Sequence, residues 1–234
     1  MIHSIKINIV PFDIIKKKCY KSLMSSEKNT QFFISKGISF YNLKKFNKAI
    51  ECFNKAIKIN PLHYRAWCDK GVALGMLGHY NEAIACFNES LKINPSYYMV
   101  LYDKGAALGM LGHYNEAIAC FNESLKINPK YEKTWYKKGV ALNNLEKYDK
   151  AIECFDEAIK INPAFEDAWC DKGVALDNLE KYNKAIECFD EAIKINPLNY
   201  RAWNYKGAAL VELGHIYKGM KCYNKASKIN KKLK

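Results

Sequence analysis

Arginine is almost absent from this basic protein. Arg65 and Arg201 are the only arginines among 37 Lys and Arg residues, although the formal net charge is +13. The guanidinium group can hold two phosphate oxygens at once, whereas lysine acts as a point charge. This composition therefore weighs against a chain that binds nucleic acid along its whole length.

Long hydrophobic runs are also missing. The longest ones extend for a few residues before Lys, Glu or Asn interrupts them, and about 20 apolar residues are needed to span a bilayer. At the amino terminus, Lys6 interrupts a short apolar stretch, and no small-residue cleavage pattern follows it. We therefore predict a cytoplasmic protein without membrane insertion.

The motifs of cofactor and metal chemistry are missing as well. The sequence contains no CxxC pair, no glycine-rich phosphate loop, no dinucleotide fingerprint and no zinc-ligand spacing. His79, His113 and His215 each stand alone beside a glycine in a turn. Because a metal site usually needs about four converging ligands, we predict no metal ion. The missing motifs also lead us to predict no cofactor and no catalytic centre.

The dominant feature of the sequence is a repeat of 34 residues. Self-similarity at this period is typical of a repeat architecture, and residues 76–95 and 110–129 are even identical in sequence. Six copies fit, and they begin at Thr30, Tyr64, Tyr98, Glu132, Glu166 and Tyr200. The interval is kept by Pro61, Pro95, Pro129, Pro163 and Pro197, and by Gly37, Gly71, Gly105, Gly139, Gly173 and Gly207.

Six of the nine cysteines belong to the same pattern. The cysteines of neighbouring copies either lie too far apart to form a disulfide or pack against one another in a row along the array. Without any CxxC pair, we predict buried free thiols in a reducing compartment. These cysteines are Cys52, Cys86, Cys120, Cys154, Cys188 and Cys222.

Each copy contains two blocks with the apolar spacing of a helix. In the fourth copy, apolar residues follow this spacing loosely over 135–145 and closely over 148–159. The second block ends at Asn-Pro in five copies, and proline cannot continue a helix. Each copy is therefore predicted to be a pair of helices, which we call its first and second helix.

Small residues at fixed positions predict a close approach of the two helices. Gly71 on the first helix and Ala83 on the second would let the backbones come together, with Trp67 and Phe87 filling the space beside them. A large residue in place of the glycine should therefore overpack the pair.

These positions resemble the tetratricopeptide repeat family. The resemblance covers residues 30–231 and implies an all-α fold, a right-handed αα superhelix that acts as a non-enzymatic scaffold for protein binding. Departures are local: Ser90 and Ser124 replace the second Ala, and Phe33 and Leu101 replace Trp. The sixth copy has Gly219, Tyr223 and Lys231 in place of Ala, Phe and Pro. The fifth copy carries the family pattern as Trp169, Gly173, Leu176, Tyr182, Ala185, Phe189, Ala192 and Pro197.

The two ends of the chain hold most of the positive charge. Residues 1–29 contain six lysines and two acids, and residues 218–234 contain seven lysines and no acid. We predict that these segments give the repeat array polar ends, as stacked repeats require. The first segment is predicted to be an amino-terminal capping helix or a degenerate half-repeat over residues 12–24. The predicted divisions are 1–29, then repeats at 30–63, 64–97, 98–131, 132–165 and 166–199, and 200–234 as the sixth repeat with a basic carboxy-terminal cap.

The resemblance implies that the first helices line a concave groove that binds peptides or partner helices. Residues differ among the six copies mainly on this face, most clearly at positions two, five and twelve counted from the start of each copy. Drift on an unimportant solvent face would give the same variation, but exposed Tyr and Met favour a binding surface. The predicted groove residues are Tyr41, Arg65, Cys68, Asp69, Val72, Met76, Met99, Tyr102, Asp103, Met110, Lys133, Tyr136, Val140, Asn143, Asn144, Cys170, Val174, Asp177, Asn178, Arg201 and Asn204.

Several partner classes follow from these residues. An apolar stripe at the ninth position, flanked by Asp69, Asp103 and Asp171, favours a protein segment with apolar anchors. Relatives that bind chaperone carboxy-terminal tails have Asn at that position, and its absence here disfavours such tails. The alternatives are RNA binding through the Lys-rich ends and the groove tyrosines Tyr102 and Tyr136, and self-association through an end repeat.

Two cysteines of the predicted groove are candidates for a reactive thiol. Cys68 and Cys170 are placed on the groove face by their position in the repeat, but no histidine or other base lies near them in the sequence. Nucleophilic catalysis is therefore not predicted. The carboxylates of the second helices, such as Glu153 and Glu157, alternate with lysines as solvated pairs rather than as a catalytic dyad.

Overall fold

The structure, a computed structural model, describes the backbone of residues 12–232 and side chains from Met24 onward. This part of the chain contains twelve α-helices and no strand. The side chains of residues 12–23, on which the predicted half-repeat depends, lie outside the described residues. The helices are α1 (Phe12–Asn42), α2 (Phe46–Ile59), α3 (Tyr64–Met76), α4 (Tyr80–Ile93), α5 (Tyr98–Met110), α6 (Tyr114–Ile127), α7 (Glu132–Asn144), α8 (Tyr148–Ile161), α9 (Glu166–Asn178), α10 (Tyr182–Ile195), α11 (Tyr200–Glu212) and α12 (Ile216–Lys232).

The helices form two compact units. Unit 1 is Met1–Pro95 and contains α1 to α4, and unit 2 is Ser96–Lys234 and contains α5 to α12. Within each unit, every helix packs against the next helix along the chain. In unit 2 the first helices α5, α7, α9 and α11 also contact one another in sequence. They therefore form one continuous layer within that unit.

The second helices end where the sequence predicts. The α2 helix ends at Ile59, and the backbone N–H of Asn60 bonds to the carbonyl of Ala56. The Asn60 side chain then accepts a hydrogen bond from the Leu62 N–H at 3.1 Å, so the amide supports the turn that Pro61 begins. The same side-chain hydrogen bond recurs at Asn128, Asn162 and Asn196.

The turn inside each hairpin requires a left-handed residue. Gly78 supplies it with φ of 80°, which glycine adopts without steric cost. In the fourth repeat the same place is taken by Glu146, with φ of 58°. The repeat therefore tolerates a non-glycine residue here, at a cost of roughly 1 kcal/mol in backbone strain.

The predicted close approach of paired helices is confirmed. A β-carbon at Gly71 would lie 2.5 Å from Cε1 of Phe87, whose side chain is 2% exposed. The phenylalanine ring of the second helix therefore occupies the space that a side chain on the first helix would need. Four other hairpins repeat the contact through Gly37 and Phe53, Gly105 and Phe121, Gly139 and Phe155, and Gly173 and Phe189.

The serines that replace the second alanine of the family pattern are fully buried and hydrogen-bonded. The hydroxyl of Ser90 donates to the carbonyl oxygen of Tyr64 at 2.9 Å, and that of Ser124 donates to Tyr98 at the same distance. Because each buried hydroxyl has a partner, the departure from alanine carries little energetic penalty.

The first helix continues across the predicted boundary between the amino-terminal segment and the first repeat. One helix of 31 residues, α1, runs from Phe12 to Asn42 without a break. The predicted boundary at residue 30 falls inside it, and Thr30 is 2% exposed there. Residues 24–29 contain neither proline nor glycine, so nothing in this stretch stops the helix.

Candidate groove of the first helices

In unit 1 the predicted groove residues meet at a pocket between α1 and α3. The pocket has a volume of about 280 Å³ and is lined by Ile38, Tyr41, Asn42, Phe53, Asp69 and Val72. Burial raises the pKa of the Asp69 carboxyl to about 6, although nearby Arg65 partly opposes the shift. Met76, at the end of α3, is 57% exposed. The pocket thus combines an apolar wall with one carboxyl that loses its proton near neutral pH.

In unit 2 a second pocket lies between α5 and α7, and we call it the Gly109 pocket. Its volume is about 250 Å³, and its lining includes Gly109, Met110, Val140 and Asn144. A β-carbon at Gly109 would meet no other atom within 4 Å. The pocket exists because position twelve of this repeat carries no side chain. Met110 stands beside it with 66% of its surface exposed.

The two groove tyrosines are packed more deeply than a binding surface would require. Tyr102 lies against Phe121 and Tyr131, with ring centroids 6.3 and 5.4 Å away. Tyr136 lies against Phe165 at 4.9 Å. Burial raises the pKa of both tyrosine hydroxyls. Most of each ring therefore stabilises the layer of first helices, and only a minor part faces solvent.

A polar chain connects the first helices of the fourth, fifth and sixth repeats. The Tyr136 hydroxyl donates to Asp171 Oδ2 at 2.8 Å, and Arg201 Nη2 donates to Asp171 Oδ1 at 2.8 Å. Asp167 lies 3.7 Å from Arg201. Burial lowers the pKa of Arg201, but the charge and hydrogen bond of Asp171, together with Cys170 and Tyr205, raise it overall. Asp171 is thus the central acceptor of the chain.

Position twelve carries polar side chains in the fourth and fifth repeats. Asn143 Oδ1 and Asp177 Oδ1 are buried and have no hydrogen-bond partner among the described residues. Burial raises the pKa of Asp177, and the charge of Glu212 adds to the rise. The neighbouring Asn144 and Asn178 donate to carbonyls of their own helices, at 2.8 and 2.9 Å. Two acceptor oxygens in this layer are therefore buried without a donor.

Cys68 and Cys170 do not belong to the groove surface, and this corrects their predicted placement. Cys68 is 5% exposed and Cys170 is fully buried, packed in a core cluster with Phe189 and Ala202. Burial raises the pKa of Cys170 to about 12. Its thiol is therefore protonated at neutral pH and unsuited to nucleophilic attack. Position five of the repeat faces inward when the residue is as small as cysteine.

The remaining predicted residues are spread along the same layer. Met99 and Lys133 are exposed at the starts of α5 and α7, and Asp103 and Val174 are partly exposed. A pocket of about 420 Å³ near α12 is lined by Arg201 and Asn204, together with tyrosines that the sequence did not single out. The structure also reveals Tyr131, in the turn before α7, as a ring that contacts both Tyr98 and Tyr102.

The histidines of the turns take part in local contacts. His79 Nδ1 lies 3.0 Å from Glu82, and His113 Nδ1 lies 3.1 Å from Glu116. Among the described side chains, no cluster of three or more His, Cys, Asp or Glu residues is arranged to hold a metal ion. None of the described helices combines the length and apolar character that a membrane crossing needs.

Three solved structures with the same fold are informative. MamA is 25% identical to this chain, with a TM-score of 0.65 over 69% of this chain and 95% of that one. YrrB, described as a TPR protein with an unusual peptide-binding site, is 21% identical with a TM-score of 0.64, over 78% and 94%. PilF of Pseudomonas aeruginosa is 16% identical with a TM-score of 0.76, over 89% and 93%. A search of the curated proteins finds no match.

These likenesses confirm the predicted fold class, an all-α tetratricopeptide solenoid. The family profile of the tetratricopeptide repeat matches nearly the whole described chain, and the family is typically one of protein-interaction scaffolds without enzymatic activity. The profile matches residues 31–62, 64–97, 98–131, 132–165, 166–199 and 200–233. This protein therefore belongs to the tetratricopeptide repeat family.

Proposed function

We propose that the protein is a non-enzymatic scaffold that holds a segment of a partner protein against the first helices of unit 2. The observation that carries the proposal is the Gly109 pocket, an apolar recess next to the exposed Met110 side chain. An apolar residue of the partner would enter the recess, and Met110 would adapt to its shape. YrrB, which has the same fold and is described as having a peptide-binding site, supports a peptide as the type of ligand.

A protein partner is favoured over RNA. Arg201, the arginine of unit 2, already pairs with Asp171 and lies near Asp167, so its charge is neutralised within the groove. Tyr102 and Tyr136, which would stack on bases in the RNA alternative, are largely occupied by packing. The chaperone-tail class stays disfavoured, since the ninth positions in unit 2 are Ala or Val. Buried thiols with raised pKa values suit the cytoplasm, which is the location we propose.

The proposal is tested by selecting peptides from a random displayed library and measuring the affinity of the best one by calorimetry. Gly109→Leu should fill the pocket and weaken binding by about tenfold or more. Gly75→Leu is the matched control, because Gly75 occupies the same repeat position in unit 1 and also has open space around it. Unchanged affinity in Gly109→Leu, with binding lost in Gly75→Leu, would move the site to unit 1. Unchanged affinity in both would refute a groove site.

Self-association is the other function to separate from this one. Light scattering of the full chain over a range of concentrations distinguishes them. A monomer that still binds the selected peptide supports the scaffold. A dimer that dissociates when the peptide is added would mean that the groove binds a second copy of the chain.

A further inference from the structure

A larger pocket of unit 2 uses other positions of the repeat than the groove does. It has a volume of about 720 Å³ and lies among α5, α6 and α7. Three lysines line it, Lys104, Lys126 and Lys138, against one carboxylate, Glu123. Lys126 already pairs with Glu123 at 2.6 Å. Among the residues that the structure describes, Lys104 and Lys138 form no ion pair. We therefore call this site the basic pocket.

The neighbouring repeats show which carboxylate the basic pocket lacks. In the fifth repeat, Lys172 at position seven pairs with Asp156, position 25 of the preceding repeat, at 2.6 Å. In the sixth repeat, Lys206 pairs with Asp190 in the same way. Lys138 is the equivalent lysine of the fourth repeat, but position 25 before it is Asn122. An amide therefore stands at this junction, where the two later junctions of unit 2 have a carboxylate.

Lys138 consequently has an aromatic ring as its main contact. Its ammonium nitrogen lies 5.1 Å from the centroid of the Trp135 ring, and it forms no ion pair within the described residues. Lys172 makes the same ring contact with Trp169 at 5.5 Å but has Asp156 as well. A cation over a tryptophan face gains modest stabilisation at an exposed site, about 0.5–1 kcal/mol. The charge of Lys138 is therefore available to an external anion.

Two other differences between repeats enlarge the pocket and remove negative charge. Leu101 stands at position four, where the following repeats have tryptophan, and Ala119 stands at position 22, where they have Glu153 and Glu187. The neighbouring pocket among α8, α9 and α10, which contains Trp169 and Lys172, is smaller, about 480 Å³. Its three lysines, Lys172, Lys181 and Lys184, face four carboxylates, Asp149, Asp156, Glu187 and Glu191. The excess of positive charge thus distinguishes the basic pocket from its neighbour in unit 2.

The shape and chemistry of the basic pocket indicate its ligand. Leu101, Ala119, Leu125 and the Trp135 ring supply apolar surface between the lysines. Lysine is a point charge that sets no fixed geometry on an anion. The pocket is also wide and open, unlike the enclosed sites that bury a small ligand. A ligand that fits has an anionic group beside an apolar group and belongs to a longer chain.

We infer that the basic pocket binds an acidic segment of a protein. An anionic side chain, carboxylate or phosphorylated, reaches Lys104 and Lys138, and the apolar residue next to it packs on Trp135. This site is independent of the groove of the first helices. The protein would then hold two different segments, one apolar and one acidic, on two faces of the same helix pairs.

A short acetylated peptide in which glutamate alternates with leucine is the probe, and calorimetry at about 50 mM salt is the measurement. The same peptide with glutamine in place of glutamate should bind about tenfold more weakly or not at all. Equal affinities would overturn the inference. A phosphoserine version of the peptide identifies the anionic group. Tighter binding than that of the glutamate peptide would mean that the natural ligand is a phosphorylated segment, and weaker binding would mean that it carries carboxylates.

Asn122→Asp is the decisive variant. It restores the carboxylate that Asp156 and Asp190 supply in the later repeats, so Lys138 should become paired and the affinity for the glutamate peptide should fall about tenfold. Asn224→Asp is the matched control, because it makes the same change at position 25 of the sixth repeat. The control should bind as the natural protein does. Unchanged binding in Asn122→Asp, or an equal loss in both variants, would contradict the assignment. Gly109→Leu should leave this affinity unchanged, which separates the two sites.

Discussion

Tyr136 and Asp171 lie one repeat apart and are joined by a hydrogen bond of 2.8 Å from the tyrosine hydroxyl to the carboxylate. The bond connects α7 with α9, and Arg201 extends the connection to α11. The chain of three side chains spans three repeats on the face where we propose that a partner binds. The first helices of unit 2 are therefore held by polar bonds as well as by packing.

The first prediction concerns this hydrogen bond. Tyr136→Phe keeps the ring and removes the hydroxyl donor, so the partly buried Asp171 carboxylate loses one of its two described hydrogen bonds. The free energy of unfolding should fall by about 1.5–3 kcal/mol, the usual range for a bond to a charged group. Urea denaturation measures it, and Tyr148→Phe serves as the control because its hydroxyl has no described hydrogen bond. Equal stability of the two variants would mean that the bond contributes nothing.

The second prediction compares two glycines of the same helix. A β-carbon at Gly105 would lie 2.6 Å from Phe121 Cε1, whereas one at Gly109 would meet nothing within 4 Å. Gly105→Ala should destabilise the protein by about 1–3 kcal/mol through overpacking. Gly109→Ala should stabilise it by about 0.5–1 kcal/mol through helix propensity. Thermal unfolding followed by circular dichroism should shift the midpoint in opposite directions, and shifts of the same sign would be inconsistent with the packing described.

The third prediction concerns the pH dependence of unit 1. The pKa of Asp69 is raised to about 6 in the folded protein, so the folded state holds this proton more tightly than the unfolded state does. Stability relative to Asp69→Asn should therefore fall as the pH rises from about 4 through about 6, and should then stay level. The loss should be about 1–3 kcal/mol.

Urea denaturation of both proteins at about pH 4 and about pH 7.5 measures this difference. The comparison with Asp69→Asn cancels the contributions of other titrating groups. A difference between the two proteins that does not change with pH would show that Asp69 titrates normally.

Much of the fold could be predicted from the sequence, because its structural rules recur in at least five of the six copies. The stop of α2 at Asn60 and Pro61, and the contact of Gly71 with Phe87, follow from residue types alone and are confirmed. The uninterrupted α1 was not predicted, because the repeat pattern fades before Thr30 while the helix does not. The lack of proline and glycine predicts the extent of a helix less reliably than a repeated motif does.

The candidate site was harder to predict, because burial depends on the neighbouring repeat. Cys68 and Cys170 occupy a position where Tyr102 and Tyr136 also stand, yet the cysteines are buried in the core. The repeat position gives the direction of a side chain, but its length decides whether it reaches the surface. The missing partner of Lys138 was likewise invisible until the structure paired Lys172 with Asp156.

Whether a partner segment occupies the Gly109 pocket can be measured by methyl NMR of the methionine-labelled protein. Met110 lies at the pocket and is 66% exposed, whereas Met220 on α12 is 51% exposed and distant in sequence. When a selected peptide is added, the Met110 methyl resonance should shift and the Met220 resonance should not. Saturated binding with an unmoved Met110 resonance would show that the partner segment binds elsewhere.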